Sequence, residues 1–374
     1  MKDYNFILFF LTLVIPYIIG LLSFPPLIKM IINKNLVDAP GGRKVHQNVT
    51  PSMGGIGILL GFMTVLGFCF FLSDWEHIFL IVIGTLMMGL LGFFDDWKNI
   101  SALKKLIGQL VIIVTLIWAT DIRFQGLYGF FGIHDLPLGW SYFITVFVIV
   151  GLTNAFNLID GLDGLAGSLS LISFFLLGVW FYLSGHEAYT LLCLSMVGAT
   201  SAFLWFNWHP AKIFMGDTGS LSVGFLLSVF TVLFIDLNGY EMNDHNPFRF
   251  NAPIAAGLTL MIIPCCDTMR VFVRRIRRGK SPFTADKSHI HHFLLRMGYG
   301  HDKVTLILCT VKILLIGLAT IGYRLSDNFL IPLLVFTVIG LGTYLDRVTL
   351  RRIKRKFYDQ NPVENQDEQK ALST

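Results

Sequence analysis

FMGDTGSLSVGFLLSVFTVLFID, residues 214–236, is the stretch on which the fold turns. Asp217 opens an apolar run near 219–236 that is long enough, as a helix, to cross the roughly 30 Å hydrocarbon core of a bilayer. Ten further apolar runs of helix length surround it, near 4–32, 56–72, 78–94, 106–119, 141–157, 165–183, 188–206, 252–272, 304–322 and 328–345. Eleven helices of about 20 residues use roughly 220 positions, and a chain of 374 leaves room for loops and tails. Composition agrees. Hydrophobic residues make up 54% and charged residues 14%, against about 25% charged in a soluble domain. No soluble core of this size hides so many apolar side chains. The sequence therefore predicts an all-α polytopic integral membrane protein of about eleven transmembrane helices. It excludes a disordered chain, a disulfide-stapled secreted domain and a nucleic-acid-binding module.

The apolar stretch from Tyr4 to Ile32 outruns the h-region of a signal peptide, and no small-x-small cleavage site follows it. It reads as the first span. The five cysteines all lie in apolar runs without a CxxC pair, which predicts neither a disulfide nor a zinc site. An odd number of spans puts the termini on opposite sides, and basic residues decide which. With the tail of Arg351, Arg352, Lys354, Arg355 and Lys356 in the cytoplasm, 24 of the 29 lysines and arginines fall on that side, counting Lys29 and Arg270 near the cytoplasmic ends of their spans. The expected topology is N-terminus outside and C-terminus cytoplasmic. Residues 1–357 form one transmembrane catalytic domain in this reading, with a cytoplasmic loop at 273–303. A polar, disordered tail follows at 358–374. No internal repeat is evident, which weighs against the inverted-repeat plan of many transporters.

Carboxylates are costly near hydrocarbon, so their positions carry information. Asp95 and Asp96 end the third span in GFFDDWKN, and Asn154, Asn157, Asp160 and Asp163 end the fifth in NAFNLIDGLDGL. Asn207 ends the seventh, Asp217 opens the eighth and Asp267 ends the ninth. In the expected topology all of these ends share the cytoplasmic face. A single acidic residue at a wet helix end needs no function; five such ends on one face do. Side chains at 154, 157 and 160 share a helical face, and Gly161 and Gly164 allow a tight turn near a ligand. Carboxylates and amides without soft ligands suit a hard cation, Mg²⁺ or Mn²⁺, whose shell is completed by phosphates. The loop VRRIRRGKSPFTADKSHIHHFLLR supplies positive charge, together with His289, His291 and His292. No cysteine or carboxylate lies near HIHH at zinc spacing, so donation to phosphate oxygens is the expected role. Acids for a metal, bases for phosphates and a membrane face indicate phosphoryl-type chemistry on a lipid.

At these residues the chain resembles the polyprenyl-phosphate N-acetylhexosamine-1-phosphate transferase family. That family also contains the phospho-N-acetylmuramoyl-pentapeptide transferase of peptidoglycan synthesis. The similarity covers about 38–303 through DAPGGRKVHQNVTPSMGG, FFDDWKN, NAFNLIDGLDGLAG, WFNWHPAKIFMGDTGSLSVG and DTMRVFVRRIRRGKSPFTADKSHIHH. The resemblance implies transfer of a sugar-1-phosphate from a UDP-N-acetylhexosamine to undecaprenyl phosphate, with release of UMP, on the cytoplasmic face of a bacterial inner membrane. This is the first membrane step of a cell-envelope glycan. It further implies that Asp217 is the principal Mg²⁺ ligand, with Asn157 near the metal. Asp95 and Asp96 would handle the lipid phosphate, Asp95 as base or orienting group. The implied catalytic set is Asp95, Asp96, Asp160 and His291. Implied substrate-binding residues are Lys44, His46, Asn154, Asp163, Asn207, Phe214, Arg278, His289 and His292, with Phe214 stacking near the uracil. A homodimer is among the assemblies the resemblance allows. The pentapeptide branch shows a contiguous HHH run, whereas this chain has HIHH, as in the hexosamine branch.

The chemistry follows from the charges. A phosphomonoester oxygen of the lipid attacks the sugar-bearing phosphorus and UMP leaves, so two anions must meet and a divalent cation offsets their repulsion. The lipid phosphate is already ionised near neutrality, with a second pKa of about 6, so positioning matters more than a strong base. Direct displacement is the preferred course over an aspartyl-phosphate intermediate. The rival class, a transporter for a lipid-linked solute, predicts polar residues at mid-membrane, where Lys312 is the main candidate. The sugar remains open among GlcNAc, GalNAc, FucNAc and QuiNAc.

Overall fold

The computed structural model describes residues 2–34, 50–69, 75–242, 246–279, 281 and 289–360. Lys44 and His46, most of the segment between Gly279 and His289, and the tail from 361 lie outside the described residues. The elements run in order as α1 (Lys2–Asn33), α2 (Gly55–Phe62), a short 3₁₀ turn, α3 (Leu66–Cys69), α4 (Trp75–Lys98) and α5 (Ala102–Thr120). A hairpin of β1 (Gly126–Phe130) and β2 (Ile133–Asp135) is the sole sheet among the described residues. Then follow α6 (Leu138–Ile159), α7 (Leu165–Leu183), α8 (Glu187–Asn207), α9 (Gly216–Asp236) and α10 (Pro253–Leu260). The last four are α11 (Ile262–Arg277), α12 (Ile290–Arg296), α13 (His301–Ile321) and α14 (Asp327–Gln360).

The helix quoted first is the centre of the bundle: every residue of α9 from Thr218 to Asp236 is buried. It packs on α4, α6 and α10, while α8 packs between α1 and α7. Small residues make this possible. Gly219, Ser220, Ser222, Gly224 and Ser228 let neighbouring backbones approach, and Ser222 and Ser228 return their hydroxyls to Thr218 O (2.7 Å) and Gly224 O (2.6 Å) of the same helix. A Cβ on Gly55 would lie 2.0 Å from Gly219 N, so α2 sits against the start of α9 only because Gly55 has no side chain. Lipid-directed apolar residues such as Trp118, Phe147 and Phe336 stay exposed on the outer helices.

The all-helical membrane architecture is as expected, but the spans are not eleven equal rods. Nine described helices are long and apolar enough to cross a bilayer. The run near 56–72 gives a shorter apolar helix over Gly55–Phe68, and the run near 252–272 is a pair, α10 and α11, bent by 83°. Pro264 explains the bend. It has no N–H, so the carbonyl of Leu260, four residues earlier, loses its helical donor. Ser173 Oγ replaces that donor at 2.8 Å. Buried Lys312 then donates to Leu169 O at 2.6 Å and to the Ser173 hydroxyl. Lys312 thus braces a broken helix.

Candidate active site

Four helix ends meet at the N-terminus of α9. Gly92 brings α4 in: a Cβ there would fall 2.2 Å from Asp217 O. One turn later Asp96 accepts from Asp217 N (2.8 Å), Thr218 N (2.9 Å) and Thr218 Oγ1 (2.6 Å). A carboxylate from a neighbouring helix therefore caps α9, satisfying two of its orphan donors and facing the positive end of its dipole. Gly216 precedes the cap at φ +68°, in the left-handed region that suits glycine.

Asp217 lies in the first turn of α9 and accepts from Asn157 Nδ2 at 2.6 Å, while Asn157 also donates to Ser220 Oγ at 2.7 Å. Lys105, in the first turn of α5, bridges two carboxylates: its Nζ is 2.7 Å from Asp95 Oδ2 and 2.5 Å from Asp217 Oδ2. A cation between two acids on different helices is the electrostatic centre of this end. A cavity of about 400 Å³ opens beside it, lined by Asp95, Asp96, Asn157, Asp160, Asp217, Asn207 and Phe214, with Ser52, Asn99 and the Gly161 turn. Burial, with the charges of Asp217 and Asp96 nearby, pushes the Asp160 carboxyl up to about 7. Asp160 therefore changes charge near neutrality.

The structure sorts the residues singled out from sequence. It brings Asp95, Asp96, Asn157, Asp160, Asn207, Phe214 and Asp217 to one cavity. Asn207 is already engaged there, accepting from Gly164 N (2.9 Å) and donating to Ile213 O (2.8 Å), so it fixes two loops. Asn154 pairs with Gln109 of α5 instead, one turn deeper, and does not line the cavity. Asp163 turns to His209 Nδ1 at 2.6 Å. Its burial would raise the carboxyl, but the imidazoles of His301 and His209 outweigh this and hold it at about 2.

The HIHH segment docks through Asp267, which accepts from Ile290 N (2.8 Å) and contacts His289 Nδ1 at 2.9 Å. His291 is buried, its Nδ1 makes no hydrogen bond, and burial with neighbouring His292 lowers its pKa to about 4. A Cβ on Gly161 would stand 3.3 Å from His291 Nε2, so His291 reaches the turn that carries Asp160. Arg278 is exposed at the end of α11. Lys105, Ser52 and Asn99 are the site residues sequence reasoning missed. Of the neighbours Lys104 and Lys105 only the latter turns inward, which no local pattern in the sequence marks.

The fold and site define a polytopic, all-helical membrane protein with a carboxylate-lined cavity at one end of its central helix. The glycosyl transferase family 4 pattern matches residues 78–235, from the start of α4 to the end of α9, which includes every carboxylate of that cavity. Among relatives, a probable undecaprenyl-phosphate N-acetylglucosaminyl 1-phosphate transferase of Bacillus subtilis (strain 168) is 33% identical over 346 residues, covering 91% of this chain and 92% of the relative. An undecaprenyl-phosphate alpha-N-acetylglucosaminyl 1-phosphate transferase of Salmonella typhi is 32% identical over 320 residues, covering 84% and 83%. Its namesake in Escherichia coli (strain K12) is 32% identical over 311 residues, covering 82% and 81%. The chain belongs to this family.

Proposed function

We propose that the protein transfers N-acetylhexosamine-1-phosphate, with GlcNAc as the first sugar to test, from a UDP-sugar to undecaprenyl phosphate and releases UMP. One observation carries the reading: Asp95, Lys105, Asn157 and Asp217, from four helices, meet at a cavity that also holds Asp160. The names of the relatives match the same chemistry. The lipid phosphate oxygen bonds to the sugar-bearing phosphorus, and the bond from that phosphorus to the bridging oxygen breaks. The electron pair leaves with UMP.

The donor set fits Mg²⁺. Oxygens of Asp95 and Asp217 already converge on one cation, the Lys105 ammonium, and the cavity offers hard carboxylate and amide groups without thiols. Asp217 and Asp95 would hold the ion, with Asn157 fixing Asp217 from the other side. Bound Mg²⁺ offsets the charge of the pyrophosphate and of the UMP leaving group. Lys105 keeps the two acids at a set separation and offers positive charge to an incoming phosphate. Asp96 holds the first turn of α9, and hence Asp217, in place. Phe214, partly exposed at the cavity wall, offers a face for the uracil. His291 reaches the Gly161 turn and is neutral near pH 7, ready to donate one hydrogen bond to a phosphate or sugar oxygen.

The cavity faces the cytoplasm in this reading, on the side rich in lysine and arginine. The test is UMP release from UDP-GlcNAc by detergent-solubilised protein. Release that requires both undecaprenyl phosphate and Mg²⁺ supports the reading. Release independent of the lipid, or none with any UDP-N-acetylhexosamine, rejects it.

A further inference from the structure

A second polar convergence lies beside the cavity and is assembled from parts far apart in sequence. Asp163 follows the Asp160 turn, His209 lies in the loop that leads to Asp217, and His301 is the first residue of α13. One ligand atom from each lies within 4.8 Å of the other two, and no other such group occurs among the described residues. Asp163 Oδ2 is 2.6 Å from His209 Nδ1 and 3.4 Å from His301 Nδ1. The imidazoles stand 4.9 Å apart, tilted by 32°. His301 Nδ1 is buried yet makes no hydrogen bond. Ala211 N and Thr305 Oγ1 hold Asp163 by its carboxylate (3.3 Å) and its carbonyl (3.0 Å), so the group is fixed from both flanking segments.

Without a metal, two ring nitrogens aimed at one carboxylate oxygen would each need a proton to be satisfied. A cation removes that demand, because imidazole binds metal through its unprotonated nitrogen. Two imidazoles and a carboxylate, with solvent in the fourth position, form a familiar zinc donor set. Metal–ligand bonds of about 2 Å put the edge of the tetrahedron at roughly 3.3 Å. The His301 contact already has that length, and the His209 contact must open by a fraction of an ångström. His209 can give, since its side chain is 36% exposed, and the same exposure admits a water.

We propose that Asp163, His209 and His301 bind one zinc-type divalent ion that ties the loop carrying Asp160, the loop leading to Asp217 and the start of α13 into one wall. The ion is distinct from the Mg²⁺ of the transfer reaction. The HIHH run does not compete in this geometry, because His289 Nδ1 is committed to Asp267.

The experiment strips the full-length, detergent-solubilised protein with a chelator, then titrates Zn²⁺ or Co²⁺ with millimolar Mg²⁺ present. One equivalent of Co²⁺ should give the intense visible bands of four-coordinate cobalt, and one equivalent of Zn²⁺ should raise the thermal midpoint. His209→Ala and His301→Gln, each checked for a monodisperse chromatographic profile, should weaken binding by roughly 100-fold. Asp217→Asn and His292→Ala should bind Zn²⁺ as the parent does, which separates this site from the transfer cavity and from HIHH. The proposal is overturned by the absence of stoichiometric binding to the parent chain. Undiminished binding in the His209 and His301 variants, or loss in His292→Ala instead, overturns it equally.

Discussion

Asp217 and Asp236 stand at opposite ends of one buried helix, yet their surroundings have little in common. Asp236 accepts from Gln125 N (2.9 Å), Gln125 Nε2 (3.0 Å) and the Tyr128 hydroxyl (2.6 Å), all neutral donors from the hairpin region. It lies at the negative end of the helix dipole, where a carboxylate needs such donors. Burial and the facing carboxylate push the Tyr128 phenol well up, so it stays a donor. Asp217 lies at the positive end of the dipole, shares a lysine with Asp95 and looks into a cavity with Asp160. Satisfied acids hold a fold together. Acids that converge with a cation beside open space are equipped for chemistry.

Neutralising the two ends is the coarsest way to break this contrast. Asp217→Asn should lower turnover about 1000-fold or more, since an amide holds a divalent cation poorly. Asp236→Asn should stay within about threefold of the parent, because both oxygens bond neutral donors. UMP release by both variants, at matched membrane abundance, checks the pair. Lys105→Met sharpens the contrast next. Removing the cation between two acids should lower kcat by about 100-fold while lowering the Mg²⁺ concentration for half-maximal rate. An unchanged Mg²⁺ dependence would separate Lys105 from the metal.

Asp160 predicts a pH effect on stability. Its folded pKa of about 7 exceeds the unfolded value of about 3.9, so the folded state holds the extra proton between these values. That stabilisation is complete below about pH 4 and is lost as pH rises through 7. The thermal midpoint without Mg²⁺ should therefore fall between pH 5 and 8 more steeply in the parent than in Asp160→Asn. Equal slopes would remove Asp160 as the titrating group. The smallest effect belongs to the third polar place, mid-membrane Lys312. Lys312→Met loses the brace at the α10–α11 break, worth about 1 kcal/mol, and should lower the thermal midpoint by a few degrees with kcat within about twofold.

The carboxylates of the cavity were legible because each closes or opens an apolar run, where an acid stands out against the hydrocarbon. The count and placing of apolar runs were legible for the same reason. Lys105 was not, because a lysine beside a helix end also serves orientation, and only the folded bundle shows which of two adjacent lysines faces in. Asn154 shares a helical face with Asn157, but the face runs from the cavity into the bundle, and one turn is enough to give Asn154 a different partner. Asp163 belongs to the same motif as Asp160, yet its partners come from 46 residues onward at His209 and from the start of α13, beyond any local pattern. The 83° bend had a visible cause in Pro264, but whether a proline breaks a span depends on a replacement donor, and Ser173 comes from another helix.

The two ends of α9 lie toward opposite sides of the membrane, so sidedness discriminates between them without any substitution. UDP-GlcNAc does not cross a sealed bilayer. Supplied to sealed inverted vesicles carrying undecaprenyl phosphate and Mg²⁺, it should yield undecaprenyl-diphospho-GlcNAc and UMP at once if the Asp217 end faces the cytoplasm, as proposed. Right-side-out vesicles should form product only after permeabilisation. Full activity in intact right-side-out vesicles, with none in inverted ones, would contradict the proposed placing of the cavity on the cytoplasmic face.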